Sequence, residues 1–181
     1  MWWRLALCLF FVVPAHAAEQ VDWSLRRTDG RPAAMRNLPA RWLLIYFGYT
    51  RCADICPTAL ADLAEVMDRL GSLAPRVQPV FVTLDPSRDT PAALDSYVTL
   101  FRAGILPLTG SEASVSDAAR RFHVHVTRYQ DPKLGDYSID HSSSFFLVAP
   151  NRQLLADFAT PDLSPDEIAP SIRALLTKEK S

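Results

Sequence analysis

Residues 43–57 of this chain read LLIYFGYTRCADICP, a continuous apolar run that leads through a glycine to two cysteines. The run Leu43–Phe47 is short and apolar at every position, which is typical of a strand buried on both faces. Cys52 and Cys56 follow it directly and precede the first long amphipathic segment. The pattern therefore predicts that the cysteine pair lies between a central strand and the start of a helix.

The residues after the cysteine pair complete a strand–helix–strand unit. Apolar side chains recur there at three- and four-residue steps, which marks one face of a helix. These side chains are Ala59, Leu60, Leu63, Val66, Met67 and Leu70. Pro79–Leu84 is a second apolar run of strand length, and the order strand, helix, strand predicts a βαβ unit with a parallel pair of strands.

Turn and capping signals predict further helices and hairpins along the rest of the chain. They predict an N-terminal hairpin at Asp29-Gly30, helices starting at Thr90-Pro91, after Ser111 and at Ser164–Glu167, and a hairpin from Ser144–Ala149 through Pro150-Asn151 to Leu154–Phe158. This order predicts an α/β, thioredoxin-like fold with an N-terminal hairpin extension and a central mixed sheet flanked by helices.

The N-terminus has the layout of a secretory signal peptide. Met1–Arg4 carry one basic residue, Leu5–Val13 are apolar, and Ala15-His16-Ala17 fits a small-x-small cleavage site. The apolar run is too short to cross a bilayer. We therefore expect a signal peptide over 1–17 and a single exported, periplasmic domain over 18–181 with no membrane span. If the signal is not cleaved, we expect the protein to be membrane-associated.

The composition suits one compact domain. The chain has 181 residues, is 49% hydrophobic and 22% charged, and has a formal net charge of −1. That charge provides no general attraction to nucleic acid, and basic residues are not interleaved with aromatic ones in any run. We therefore expect no nucleic-acid partner.

The two cysteines of the predicted domain favour chemistry over structural support. Cleavage of the signal would remove Cys8 and leave only Cys52 and Cys56. Residues one helical turn apart have side chains on the same face, so the two sulfurs could form a disulfide or bind one ion. A helix N-terminus stabilises thiolate, which is both the nucleophile in disulfide exchange and a ligand for soft metals such as Cu(I).

A histidine is the natural third ligand, and three follow the predicted signal. His141 precedes the strand at Ser144–Ala149, in a polar loop that a thioredoxin-like sheet would place at the same end as the cysteines. Two thiolates and one imidazole can hold copper in both oxidation states, although zinc would accept the same donors. His123 and His125 are spaced two apart on a predicted strand, and we interpret them as surface residues.

Three motifs of this chain resemble those of the Sco/SenC family. They are Gly48–Pro57, which contains both cysteines, Thr83–Pro91, and Asp140-His141 ahead of a strand that ends at Pro150-Asn151-Arg152. The resemblance extends from about residue 21 to the C-terminal helix. Ala53 differs from the proline that is common there in the family, and the family's members are often membrane-tethered.

The resemblance implies a thioredoxin-like fold that binds a copper ion through Cys52, Cys56 and His141. It also implies a metallochaperone that helps to assemble the CuA centre of cytochrome c oxidase. The expected partners are the copper-bearing subunit of the oxidase, a copper donor and a thiol reductase. Asp85 matches an acidic position of the family and is expected to support the site or to dock a partner.

Two other functions use the same cysteines. In an exported thiol–disulfide oxidoreductase, Cys52 would be the nucleophile and Cys56 the resolving thiol. Such enzymes more commonly have two residues between the cysteines, and the three found here favour copper. A peroxidase with Cys52 as peroxidatic thiolate, assisted by Arg51 or Arg88, is disfavoured because residues 50–52 do not form the Thr-x-x-Cys motif of peroxiredoxins.

Overall fold

The structure is a computed structural model that describes residues 20–38, 41–132, 135–160 and 162–178. The predicted signal peptide, residues 1–17, lies outside the described residues. The helices are α1 (Ile55–Leu70), α2 (Pro91–Thr99), α3 (Glu112–Arg121) and α4 (Pro165–Lys178), with short 3-10 turns at Met35–Asn37 and Gly71–Arg76. The strands are β1 (Arg26–Arg27), β2 (Trp42–Gly48), β3 (Val77–Thr83), β4 (Leu106–Thr109), β5 (Val126–Asp131), β6 (Asp136–His141), β7 (Ser144–Val148) and β8 (Leu154–Ala159).

A mixed six-stranded sheet forms the centre of the fold, with strand order β1-β4-β3-β2-β7-β8. β2 pairs in parallel with β3, and β3 in parallel with β4, whereas β7 and β8 are antiparallel to their neighbours. All seven residues of β2 are buried, as expected for a strand covered on both faces. The carboxyl end of β2, from which the cysteines follow, therefore lies near the middle of one edge of the sheet.

Two apolar layers cover the faces of this sheet. Leu44 and Tyr46 of β2 pack into the layer that contains the apolar faces of α1 and α4. Leu43, Ile45 and Phe47 point to the other face, where they meet α3 and the N-terminal segment. This alternation confirms the predicted central sheet with helices on both sides.

The local signals at the helix starts are also confirmed. The Thr90 hydroxyl accepts a hydrogen bond from Ala93 N at 3.2 Å and caps α2. Ser164 N and Oγ both donate to Glu167 Oε2, at 2.9 and 2.7 Å, at the start of α4. The Asp29-Gly30 turn is present, with Gly30 at φ 84°. An antiparallel bridge between Arg26 and Pro32 joins the two sides of this turn.

The sequence patterns did not predict β4 or the separate two-stranded sheet of β5 and β6. His141 was expected in a loop, but it is the last residue of β6, where it pairs with Val126. The expectation that His123 and His125 share a strand is wrong, because β5 begins at Val126 and His123 has a φ of +55°. Both histidines are exposed, as expected.

Among the described residues, no helix combines the length and the apolar character that a bilayer crossing requires.

Candidate metal centre

The two cysteines lie where β2 passes into α1. Cys52 precedes the helix and is half-buried, whereas Cys56 is the second residue of α1 and is fully buried. Both are free thiols. The Cys56 N–H donates to Cys52 Sγ at 3.3 Å, so the first sulfur takes up one of the unpaired N–H groups at the helix N-terminus.

His141 reaches the cysteines from the β5–β6 hairpin. Its Nε2 lies 3.5 Å from Cys56 Sγ, and its Nδ1 lies 3.0 Å from the carbonyl oxygen of Ser142. The ring is T-shaped to Tyr46 and Tyr49, at centroid distances of 6.3 and 6.2 Å. The structure thus brings His141 to the cysteine turn, although the two segments are 85 residues apart in sequence.

The two thiols have opposite acidities. The hydrogen bond from the Cys56 thiol, with weaker hydrogen bonds from His141 and from backbone N–H groups, outweighs partial burial and lowers the pKa of Cys52 to about 4. The same hydrogen bond to Cys52, together with burial, raises the pKa of Cys56 well above its usual value. At neutral pH the pair therefore holds one thiolate on Cys52 and one proton on Cys56.

A network of buried acids holds the turn that carries the cysteines. Asp89 is 1% exposed and accepts hydrogen bonds from Thr50 N at 3.1 Å, Thr50 Oγ1 at 2.6 Å and Thr83 Oγ1 at 2.6 Å. Thr50 is two residues before Cys52. Asp89 therefore ties the cysteine turn to the carboxyl end of β3.

Asp85, the acidic position singled out in the sequence, does not contact the cysteines or His141 directly. It is fully buried, and it accepts hydrogen bonds from Arg88 Nε, from the Tyr137 hydroxyl at 2.6 Å and from the Ser87 hydroxyl at 3.1 Å. These hydrogen bonds outweigh the effect of burial and lower the pKa of Asp85. Its position supports the loop after β3 and the hairpin of His141.

The sequence patterns singled out Asp85 but missed the residues that connect it to the site, which are Arg88, Asp136 and Tyr137. Arg88 lies inside the Thr83–Pro91 motif. Its positive charge, close in sequence to Asp85 and Asp89, is a pattern that indicates an ion pair. Asp136 and Tyr137 are half-buried at the start of a strand in which only Ser138 and Ile139 are buried, and the segment lacks the strong apolar pattern of a core strand.

Across the ranges that the structure describes, no group of three or more histidine, cysteine and acidic side chains is spaced to hold a metal ion. Two candidate donors, Cys56 Sγ and His141 Nε2, lie 3.5 Å apart. Their chemistry, two thiols and one imidazole at a helix N-terminus, suits a soft or borderline metal such as copper. His123 and His125 lie on the other face of the sheet, beside a groove of about 660 Å³ that Leu84, Val115 and Val124 also line.

The chain matches one family and several known proteins. The SCO1/SenC family model matches residues 13–177. Protein SCO2 homolog, mitochondrial, from Mus musculus is 38% identical over 159 residues, which are 87% of this chain and 62% of that protein. This chain therefore spans less than two thirds of the mouse relative.

Two solved structures share the fold. The Arabidopsis thaliana ScoI structure with copper bound has a TM-score of 0.81 and 30% identity, and the match covers 88% of this chain and 98% of that one. The yeast Sco1 structure with copper bound has a TM-score of 0.79 and 31% identity, covering 88% of this chain and 89% of that one. The fold is thus thioredoxin-like, as predicted, and this chain belongs to the SCO1/SenC family.

Proposed function

We propose that this protein is a copper chaperone that binds copper through Cys52, Cys56 and His141. The observation that carries this proposal is the 3.5 Å distance between Cys56 Sγ and His141 Nε2, with Cys52 Sγ 3.3 Å from the backbone nitrogen of Cys56. The copper-bound structures of the Arabidopsis and yeast relatives support copper as the metal. The proposed recipient is the CuA centre of cytochrome c oxidase.

The donors of this site would bind copper with the release of a proton. Cys52 is deprotonated before copper binds, whereas Cys56 must lose its proton to become a thiolate ligand. Two thiolates suit Cu(I), and the imidazole adds the nitrogen donor that Cu(II) prefers. His141 Nδ1 lies 3.0 Å from the Ser142 carbonyl oxygen, so Nε2, which faces Cys56 Sγ, is the ring atom positioned to bind the ion.

Exposure of the cysteine turn supports transfer to a partner. Ala53, Asp54 and Ile55 are exposed, with Ile55 53% exposed, and Cys52 lies next to them. Cys56 is fully buried, whereas Cys52 and His141 are half-buried. A partner's ligands would therefore reach Cys52 or His141 before Cys56, and copper would leave by stepwise exchange of ligands. The proposed partners are the copper-bearing subunit of the oxidase, a copper donor and a thiol reductase that keeps the cysteines reduced.

We also propose that residues 1–17 are a signal peptide and that residues 18–181 form a single periplasmic copper-binding domain. The pattern of an apolar run followed by Ala15-His16-Ala17 supports this proposal. N-terminal sequencing of the protein purified from the periplasm would test it, because a first residue of Ala18 is expected. Recovery of the intact N-terminus would contradict it.

Copper loading of the reduced protein tests the metal site. Cys52→Ser and Cys56→Ser should each abolish tight binding of Cu(I), and His141→Ala should weaken binding of Cu(II) and alter the thiolate-to-Cu(II) charge-transfer band. His125→Ala is the matched control, because this imidazole bonds Thr127 and lies away from the cysteines. A Cys56→Ser protein that still binds one Cu(I) as tightly as the wild type would exclude the site.

A second function, thiol–disulfide oxidoreductase, is favoured by the opposite acidities of the two thiols. The Cys52 thiolate would attack a disulfide of the partner, forming a mixed disulfide and releasing one partner thiolate. Cys56, after losing its proton, would then attack Cys52 Sγ and release the second partner thiolate. The partner gains two electrons, the Cys52–Cys56 disulfide forms, and a reducing thiol must restore the pair.

The histidine distinguishes the two functions. Disulfide exchange needs no imidazole ligand, so His141→Ala should retain most of the reductase activity on a model disulfide while it loses Cu(II) binding. If His141→Ala leaves Cu(II) binding unchanged and the wild type reduces disulfides, the oxidoreductase is the better assignment.

A further inference from the structure

Arg88 connects the loop after β3 to the hairpin that carries His141. Its side chain is 12% exposed, and its Nε donates to Asp85. Its Nη1 donates to Asp136 Oδ2 at 2.9 Å and to the Tyr137 carbonyl oxygen at 2.8 Å. One guanidinium group therefore bonds a buried acid of the central fold and two successive residues at the start of β6.

Tyr137 is held by the same loop in two further ways. The Arg88 guanidinium carbon lies 3.5 Å from the centroid of the Tyr137 ring, close enough for a cation–π contact. The Tyr137 hydroxyl donates to Asp85 Oδ1 at 2.6 Å. The planar fork of arginine can make the stacked and the hydrogen-bonded contacts together, which the point charge of a lysine cannot.

The position of Tyr137 determines the position of His141. The two residues are four apart on β6, and side chains on a strand repeat every two residues, so both lie on the same face. Ile139 lies between them on the same face of the strand. It is buried, and its N–H donates to the Tyr49 hydroxyl at 3.4 Å. A shift of the hairpin at Tyr137 would therefore be transmitted along β6 to the imidazole.

The cysteine turn is attached to the same loop. Asp89 follows Arg88 and binds Thr50, and Arg51 Nη1 donates to Asp136 Oδ2 at 3.2 Å. The segment 85–89 thus binds the cysteine turn through Asp89 and the start of β6 through Asp85 and Arg88. The Arg51–Asp136 and Tyr49–Ile139 hydrogen bonds connect the same two parts directly.

We infer that Arg88 is a positioning residue that holds the β5–β6 hairpin against the central fold, so that His141 is in place beside the cysteines before a metal binds. The inference rests on the proposed function only in taking His141 as a copper ligand. Pre-placing one ligand reduces the ordering that binding must otherwise cause.

Amide hydrogen exchange of the metal-free protein tests whether Arg88 holds the β5–β6 hairpin in place. We compare Arg88→Lys and Asp136→Asn with Arg121→Gln and Asp117→Asn, an exposed arginine and its paired aspartate on α3. Asp136→Asn removes an anchor of the hairpin but keeps the buried Asp85–Arg88 pair, so it is expected to fold. We expect amide exchange in β5 and β6 to rise about tenfold or more in the first two variants, with β2 and α1 unchanged, and no such change in the controls.

Unchanged exchange in β5 and β6, or an equal rise over all strands and helices, would overturn the inference. Because no metal is present, this result does not depend on copper binding. It therefore distinguishes failure of the positioning role from failure of the proposed function.

Copper titration tests the consequence. We expect Asp136→Asn and Arg88→Lys to weaken Cu(II) binding about tenfold and to change Cu(I) binding less, since two thiolates suffice for Cu(I). In a His141→Ala background the same substitutions should alter Cu(II) affinity less than about twofold, because a residue that acts through the imidazole has nothing left to position. Effects that add fully to that of His141→Ala would contradict the inference.

Discussion

Gly48, the last residue of β2, leaves the space that the sulfur of Cys56 occupies: a β-carbon on Gly48 would lie 3.0 Å from Cys56 Sγ. The same β-carbon would lie 3.0 Å from ring carbons of Tyr46 and Phe81. All three neighbours are buried and come from different parts of the fold. A side chain at this position would therefore force the sulfur or the two rings to move by a few tenths of an ångström.

We expect Gly48→Ala to displace Cys56 Sγ from His141 and to destabilise the protein by about 1–3 kcal/mol, the usual cost of overpacking a core. Urea denaturation measures the stability, and the rate of Cys56 alkylation after Cys52 is blocked measures the displacement. Gly110→Ala is the control for Cys56 reactivity, because a β-carbon there would lie 2.5 Å from the Ser114 hydroxyl oxygen and 3.3 Å from Leu25 Cδ2, so that this variant can lose stability but should leave Cys56 as reactive as in the wild type. A Gly48→Ala protein with wild-type stability and wild-type Cys56 reactivity would show that the space beside Cys56 Sγ is not needed.

The opposite acidities of the two thiols predict a selective reaction with iodoacetamide. Because the pKa of Cys52 is lowered to about 4, its thiolate should be almost fully formed at pH 6, and its alkylation rate should be nearly constant between pH 6 and 9. Cys56 should react slowly until Cys52 is blocked, because its pKa is raised. Mass spectrometry of the modified protein at a series of pH values provides the measurement.

Cys56→Ala tests the cause of that acidity. The substitution removes the thiol that donates to Cys52, so the pKa of Cys52 should increase. The pH range over which the alkylation rate of Cys52 rises should therefore lie higher than in the wild type. A rate for the wild type that rises through pH 8 to 9, as for an ordinary thiol, would contradict the assignment.

The anchor between Asp89 and Thr50 predicts a loss of stability from a nearly isosteric change. Thr50→Val removes the 2.6 Å hydrogen bond to the Asp89 carboxylate, and hydrogen bonds to charged groups contribute about 1.5–3 kcal/mol. We expect a decrease of about 2 kcal/mol in the free energy of unfolding. Thr177→Val, which removes a hydroxyl that bonds only its own helix backbone, should cost much less. If the two variants lose the same free energy of unfolding, the Thr50–Asp89 hydrogen bond does not stabilise the cysteine turn more than an ordinary surface hydrogen bond does.

The buried Asp85–Arg88 pair predicts a stability that depends on pH. Asp85→Asn leaves the arginine without its buried partner, and breaking such a pair should cost about 3 kcal/mol at pH 7. The folded protein lowers the pKa of Asp85 below its ordinary 3.8, so the carboxylate stabilises the fold fully above that value. This stability is lost as the pH falls through the lower, folded-state pKa.

The difference in unfolding free energy between wild type and Asp85→Asn should therefore be constant near neutral pH and shrink as the pH falls below about 4. Urea denaturation at several pH values measures it. Asp117→Asn, an aspartate on the surface of α3, should show a much smaller difference at neutral pH. A difference for Asp85→Asn that grows in acid would have the wrong sign for this interpretation.

The central fold was predictable because its strands and helices bury continuous or periodic apolar patterns. Leu43–Phe47 gave β2, and the helical spacing from Ala59 to Leu70 gave α1. The strand Leu106–Thr109 was missed because it is four residues long and contains Pro107, which ordinarily argues against a strand inside a sheet. The tertiary pairing with β3 and β1 overrides that local signal.

The candidate site was predictable in its residue types but not in its support. Cys52 and Cys56 could be placed from the helix start, and His141 from the family motif. The hairpin that carries His141 could not, because β5 is exposed over residues 126–130, and the buried residues of β6, Ser138 and Ile139, are adjacent rather than alternating. The opposite acidities of the two thiols come mainly from the hydrogen bond between Cys52 and Cys56 and from the burial of each sulfur, and that burial is set by tertiary packing rather than by the local pattern.

The two-stranded sheet of β5 and β6 divides the proposed copper ligands between two structural units. The sulfurs belong to the strand, turn and helix of the central fold, and the imidazole belongs to a separate two-stranded ribbon with its own backbone pairing. Exchanging the ribbon would change metal preference more than thiol reactivity, because the acidity of Cys52 depends more on Cys56 than on His141, and editing the turn would change thiol reactivity. A protein engineer could use this separation to convert one scaffold between ion carrier and electron carrier.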